Sequence, residues 1–129
     1  MSKREREKAE ARKQARKDGP VRAAITDVRM SARKANVVAK IVRGKSVDDA
    51  VTALAFQRRR AAEPLRKLLD AAIANADERG LDVDKLVISK LFVEKGPIMR
   101  RYLPRAHGRA TRIRKQTTHF RVELTEAAE

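Results

Sequence analysis

The chain has 129 residues, room for one domain, and carries 32 Lys+Arg against 17 Asp+Glu, a net charge of +15. So large an excess calls for a polyanionic partner, either nucleic acid or an anionic membrane surface. With no Cys there is no disulfide scaffold, thiol nucleophile or Cys-based zinc site, and 3% aromatics supply base-stacking platforms poorly.

No apolar run approaches the ~20 residues of a membrane span, and no apolar signal region opens the chain, so the expected address is cytoplasmic. Residues 1–18 hold eight basic and four acidic side chains, with little but alanine between them. Close Glu and Lys/Arg pairs favour transient helix there, but no face is available for burial. Residues 1–19 therefore read as a basic flexible tail, ended by Gly19-Pro20. Residues 21–26 alternate roughly and read as a first strand. Ser31 suits the N-cap of a helix whose apolar positions are Val37, Val38, Ile41 and Val42, and Gly44 suits its C-terminal stop. Ser46 and Asp49 open a second helix with a buried side of Val47, Ala50, Val51 and Leu54. Leu65, Leu68, Leu69, Ala72, Ile73 and Ala76 form one stripe of a third helix, with Pro64 in its first turn and Gly80 at its end. Residues 86–93 read as a central strand, and Phe120, Val122 and Leu124 mark a half-buried one. The order β-α-α-α-β-β predicts an α+β fold, three helices packed on a small three-stranded antiparallel sheet, with residues 20–129 as a single domain.

The last two strands are separated by more than 20 residues, and from Lys95 to Val122 there is no carboxylate. A connection of that length in a compact domain is functional or disordered as a rule. Here Ile98, Met99, Tyr102, Leu103 and Ile113 alternate irregularly with Arg100, Arg101, Arg105, Arg109, Arg112, Arg114 and Lys115. In strand geometry Arg112 and Arg114 share one face and Arg100 and Arg101 lie on opposite faces, so both faces carry cations. Residues 95–116 are thus expected to form a protruding β-hairpin arm of roughly 30 Å, turning near residues 104–108, which a partner must surround. Folded RNA meets that requirement, and arginine's planar fork suits both phosphate pairing and base stacking. Arg58, Arg59 and Arg60 form a further basic cluster at the head of a helix, where it opposes the helix dipole, and a phosphate partner explains it better than solvation does.

Other patterns are read as structural. Gly44-Lys45-Ser46 imitates the end of a phosphate-binding loop, but Ala39 stands where that loop needs Gly, and a helix precedes it instead of a strand. Asp48 and Asp49 fit a helix N-terminus, and Asp82 and Asp84 a turn. His107 and His119 lie twelve apart with no carboxylate between them. No catalytic residue, metal site, cofactor or small-molecule substrate is therefore expected.

The run Arg29-Met30-Ser31-Ala32-Arg33-Lys34, continued by Ile41-Val42-Arg43-Gly44-Lys45, resembles the opening helix of the large-subunit ribosomal protein family number twenty-two. Ala72-Ile73-Ala74-Asn75-Ala76, Phe92-Val93-Glu94-Lys95-Gly96-Pro97 and Leu103-Pro104-Arg105-Ala106-His107-Gly108-Arg109-Ala110 match the same family, as do Arg112-Ile113 and Thr117-Thr118-His119. The resemblance covers residues 21–124. It implies a non-catalytic component of the large ribosomal subunit that binds rRNA, contacts neighbouring ribosomal proteins and supports subunit assembly, with no membrane partner. It further implies a body near the exit of the nascent-peptide tunnel and a hairpin lining the tunnel wall. On that reading Lys95, Met99, Arg100, Arg101 and Tyr102 contact rRNA on the incoming strand, and Arg112, Arg114 and Lys115 on the returning one. Arg105, Ala106, His107, Gly108 and Arg109 form the tunnel-facing tip near the nascent peptide. Ser31, Arg33, Lys34, Arg43 and Lys45 lie on the RNA-facing side of the body. Asn36 and His107 depart from the basic residues that relatives often carry. A DNA-bending architectural protein with basic β-ribbon arms, and Pro104 as a wedge, is the alternative; it requires a dimer.

Overall fold

In the computed structural model, residues 2–127 are described. The element order is α1 (Lys3–Lys17), β1 (Val21–Val28), α2 (Ala32–Val42), α3 (Val47–Ala55), α4 (Ala62–Glu78), β2 (Leu86–Lys95), β3 (Met99–Pro104), β4 (Ala110–Lys115) and β5 (Thr118–Glu126). Strands β1, β5 and β2 form an antiparallel sheet in that spatial order, and β3 pairs with β4 in a separate two-stranded sheet. The α+β expectation holds, with α2, α3 and α4 packed on the three-stranded sheet.

One strand assignment is corrected. Residues 86–93, read as a central strand, lie in edge strand β2, and the centre is β5. Phe120, Val122 and Leu124 on β5 are fully buried between the helices and the flanking strands, whereas Phe92 on β2 stays 40% exposed. Composition had favoured β2 because it is richer in apolar residues, but lateral order depends on long-range pairing that periodicity does not encode. The outer edge of β2 is itself partly closed: the Gly44 amide donates to the Ile88 carbonyl and the Ile88 amide to the Lys45 carbonyl.

The helices follow their stripes with one rotation. In α4, Leu65, Leu68, Leu69, Ala72 and Ala76 are buried, and Pro64 occupies the first turn, where its missing N–H leaves no gap. In α2 the buried set is Ala35, Val38, Ala39 and Val42, while Val37 is 43% exposed. The alanines let the helix axis approach the sheet closely, so the contact stripe follows small residues and not the largest ones. Gly44 has φ +75°, the left-handed stop expected of it, and the Ser46 hydroxyl accepts from the Asp49 amide at 3.3 Å as an N-cap. The phosphate-loop imitation is therefore a helix stop followed by a cap.

In the N-terminal segment, read from sequence as a basic flexible tail with transient helix and no face to bury, Lys3–Lys17 is a helix exposed along its whole length. A reciprocal capping box starts it: the Ser2 amide donates to Glu5 Oε2 at 2.7 Å and the Glu5 amide to Ser2 Oγ at 3.3 Å. At the other end Arg79 Nη1, on the body, donates to the carbonyls of Gly19 at 2.9 Å and Pro20 at 3.4 Å. Local capping and this clamp supply what a buried face does not.

Candidate nucleic-acid interface

The arm begins where the main sheet ends. Lys95, the last residue of β2, still pairs with Thr118, and the Gly96 amide donates to the Thr117 carbonyl at 2.9 Å. Thr117 Oγ1 donates to the Pro97 carbonyl at 2.6 Å, and Arg29 Nη1 to the Gln116 carbonyl at 2.7 Å. A bulge in β1 completes the root: Asp27 has φ +56°, and its amide donates to His119 Nδ1 at 3.0 Å. His119 is thus a structural acceptor. The root is thus cross-linked by hydrogen bonds from three segments where the chain leaves the body.

Beyond the root, β3 and β4 pair from Met99↔Lys115 to Pro104↔Ala110. Each strand has six residues, about 20 Å of ribbon at ~3.3 Å per residue and short of the reach expected for residues 95–116, because residues 96–98 and 116–117 form the root. The register sorts the side chains into two unlike faces. One holds Arg100 opposite Arg114 and Tyr102 opposite Arg112; the other holds Met99 opposite Lys115, Arg101 opposite Ile113 and Leu103 opposite Thr111. Every residue of β3 is exposed, Tyr102 at 66%. The Arg100–Arg114 pair sets like charges directly across the ribbon, which costs about 0.2–1 kcal/mol in the free protein. A polyanion set against this face would remove that cost.

At the tip the Arg105 amide donates to the Arg109 carbonyl at 2.7 Å. His107 at φ +59° and Gly108 at φ +66° are both left-handed, which reverses the chain in a minimum of residues. Glycine takes this conformation freely, whereas histidine does so at some conformational expense. Arg105, Ala106, His107, Gly108 and Arg109 therefore lie together at the far end, all five residues exposed.

The body residues divide. Ser31, Arg33, Arg43 and Lys95 line one cleft of about 800 Å³ between the start of α2 and the arm root, with Asn36 and Gln116. Arg43 is partly committed inside it, donating from Nε to the Leu91 carbonyl at 2.9 Å and from Nη2 to Asn36 Oδ1 at 3.0 Å. Lys34 is exposed on α2, and Lys45 is exposed beyond its other end; neither lines that cleft. Arg58, Arg59 and Arg60 sit in the loop between α3 and α4, just before the helix they had been expected to begin. Arg29 was missed by sequence reasoning. It reaches the arm root from 87 residues away, a proximity visible only in the fold.

Two acids of the sheet, Glu123 and Glu94, pair with cations of the sheet itself and not with those of the arm. Glu123 pairs with Arg22 at 2.8 Å and Lys90 at 3.6 Å, and Glu94 pairs with Arg121 at 2.9 Å. Arg121 also lies over the Phe92 ring, 5.9 Å from its centroid. Among the described residues none of the arm's arginines is in an ion pair. No group of three or more His, Asp or Glu among them is placed to hold a metal ion.

A family model described as ribosomal protein L22p/L17e matches residues 23–125, nearly all of the body and the entire arm. The chain belongs to this family. It is 45% identical over 106 residues to the large ribosomal subunit protein uL22 of Syntrophotalea carbinolica, covering 81% of this chain and 96% of that protein. With uL22 of Myxococcus xanthus the identity is 47% over 103 residues, 78% of this chain and 90% of that one. With uL22 of Bdellovibrio bacteriovorus it is 42% over 107 residues, 82% and 97%. Within the L22p/L17e region lie β1 from Ala23 onward, the three body helices and the entire arm; α1 precedes it.

Proposed function

We propose that this protein is a structural constituent of the large ribosomal subunit, without catalytic activity, and that residues 20–129 bind large-subunit rRNA as one unit with the arm inserted into folded RNA. The single observation that carries this reading is the arm: an exposed ribbon with cations on both faces and no carboxylate from Lys95 to Val122. Phosphates on one side only would leave half of those cations unused, so the partner must enclose the ribbon. The large-subunit names of the curated relatives support the same partner.

The finer reading follows the family. The body lies near the exit of the nascent-peptide tunnel among neighbouring ribosomal proteins, and the tip at residues 105–109 borders the nascent chain. The exposure of the tip and its distance from the core support it. Lys95, Met99, Arg100, Arg101, Tyr102, Arg112, Arg114 and Lys115 then meet rRNA along the arm, and Ser31, Arg33, Lys34, Arg43, Lys45 and Arg58 to Arg60 meet it on the body.

Sedimentation of a cell lysate tests the assignment. The protein is expected to migrate with intact ribosomes and, once Mg²⁺ is chelated, with the large subunit. Migration with the nucleoid or as a free dimer overturns it in favour of a DNA-bending role.

A further inference from the structure

The family match does not account for α1, which is exposed along its length and tied to the body at its C-terminal end by Arg79. Between α1 and the body run two adjoining clefts of about 600 Å³ each, both lined by Arg12, Arg16 and Arg79, and one of them also by Arg22. Neither lining contains a carboxylate. We propose that α1 and Arg79 form a second RNA-backbone site, separate from the arm, in which Arg12, Arg16 and Arg79 grip the phosphates of a large-subunit rRNA segment.

Helix geometry separates the charges of α1. At about 100° per residue, Arg12 and Arg16 lie some 40° apart on one face, while Glu7 and Glu10 fall about 140–160° away from Arg12. Glu5, which shares the arginine side, is committed to the capping box with Ser2. Among the described residues neither Arg12 nor Arg16 is in an ion pair. The Arg79 side chain donates from Nη1 alone, to the carbonyls of Lys17, Gly19 and Pro20, so this clamp at the end of the helix leaves donors for a ligand. Arg22 is the least available of the set, because Glu123 holds its Nε at 2.8 Å.

The chemistry of the lining selects the occupant. A protein partner wants an apolar or aromatic anchor at the centre of its contact, and Ala15, Gly19 and Pro20 provide none. A membrane wants bulky apolar side chains to insert, and the only apolar residues of α1 are Ala9, Ala11 and Ala15. A cleft walled by arginine side chains and free of acids fits a phosphodiester backbone, which meets the guanidinium heads while the aliphatic stems form the walls. The location adds a distinct anchor. Val21 pairs with Leu124 at one end of the sheet and Val28 with Thr118 at the arm root, so a strand of eight residues separates the two sites by about 25 Å. RNA held at both poles would fix the tilt of the body as well as the depth of the arm.

This inference rests on the rRNA reading of the arm, and the test separates the two. Full-length protein is titrated with large-subunit rRNA across a salt series, comparing wild type, Arg12→Ala/Arg16→Ala and Arg100→Ala/Arg101→Ala. All four side chains are exposed, so folding is preserved, which circular dichroism checks. Loss of two phosphate contacts is expected to lower the log K against log salt slope by about 1.4–1.8 in the α1 variant. An unchanged slope in that variant beside a reduced one in the arm variant overturns the second site and leaves the arm reading intact. Unchanged slopes in both overturn the arm reading too. Because the chain has no Cys, Ala9→Cys also offers a unique thiol for a tethered iron–EDTA probe in assembled subunits. Strand cuts in the rRNA beside α1 support the site; cleavage confined to neighbouring proteins overturns it.

Discussion

Replacing Arg100 and Arg101 by Ala separates what the arm does for binding from what it does for folding. Arg100 faces Arg114 across the ribbon and Arg101 faces Ile113, and both arginines are exposed. The one hydrogen bond between them, from Arg101 Nη1 to the Arg100 carbonyl at 2.8 Å, is local and solvated. Its loss is offset by relief of the Arg100–Arg114 repulsion, about 0.2–1 kcal/mol, so the net change in stability stays within roughly 0.5 kcal/mol. For a domain of this size that is a Tm shift of no more than about 3 °C. Binding is expected to respond far more. Two lost phosphate contacts reduce the salt slope by about 1.4–1.8, so between about 50 and 200 mM salt the wild type loses some tenfold more affinity than the variant. Calorimetry on the free protein and filter binding to large-subunit rRNA read the two quantities. A Tm drop of more than about 5 °C would refute the claim that the arm stands apart from the core, and an unchanged salt slope would refute its role as a phosphate-binding element.

Two further substitutions probe the frame that carries the arm. Phe120→Ala removes the largest fully buried side chain at the centre of β5, between Ile25 and Val93, and is expected to destabilise the fold by about 3–5 kcal/mol in urea denaturation; a loss below about 1.5 would mean the sheet is not the organising core. Gly96→Ala sets a methyl group against Thr117 Oγ1 and 3.0 Å from His119 Cε1, so it should cost about 1–3 kcal/mol and raise amide exchange at Thr117, while an unaltered denaturation midpoint would show that the root yields without strain.

Much of this was legible in the chain itself because it depends on local spacing. The Leu65 to Ala76 stripe, the left-handed stop at Gly44, the Ser46 cap and the acid-free run from Lys95 each follow from interactions within a few residues, or from composition alone. That both faces of the arm carry cations also follows from strand alternation, whereas which side chains stand opposite one another came only with the register. What the sequence did not reveal involves partners far apart in the chain. The centre of the sheet passed from β2 to β5, because lateral order is set by pairing across many residues. The α2 contact stripe turned toward Ala35 and Ala39, because close approach to the sheet outweighed side-chain size. Arg29 joined the arm root across 87 residues, and Arg79 fixed α1 through backbone carbonyls some 60 residues earlier. Local chemistry therefore determined which segments are helix, strand and cationic arm, and only the tertiary structure decided which cations share a surface, since a guanidinium reaches whatever carbonyl or phosphate the fold brings near it.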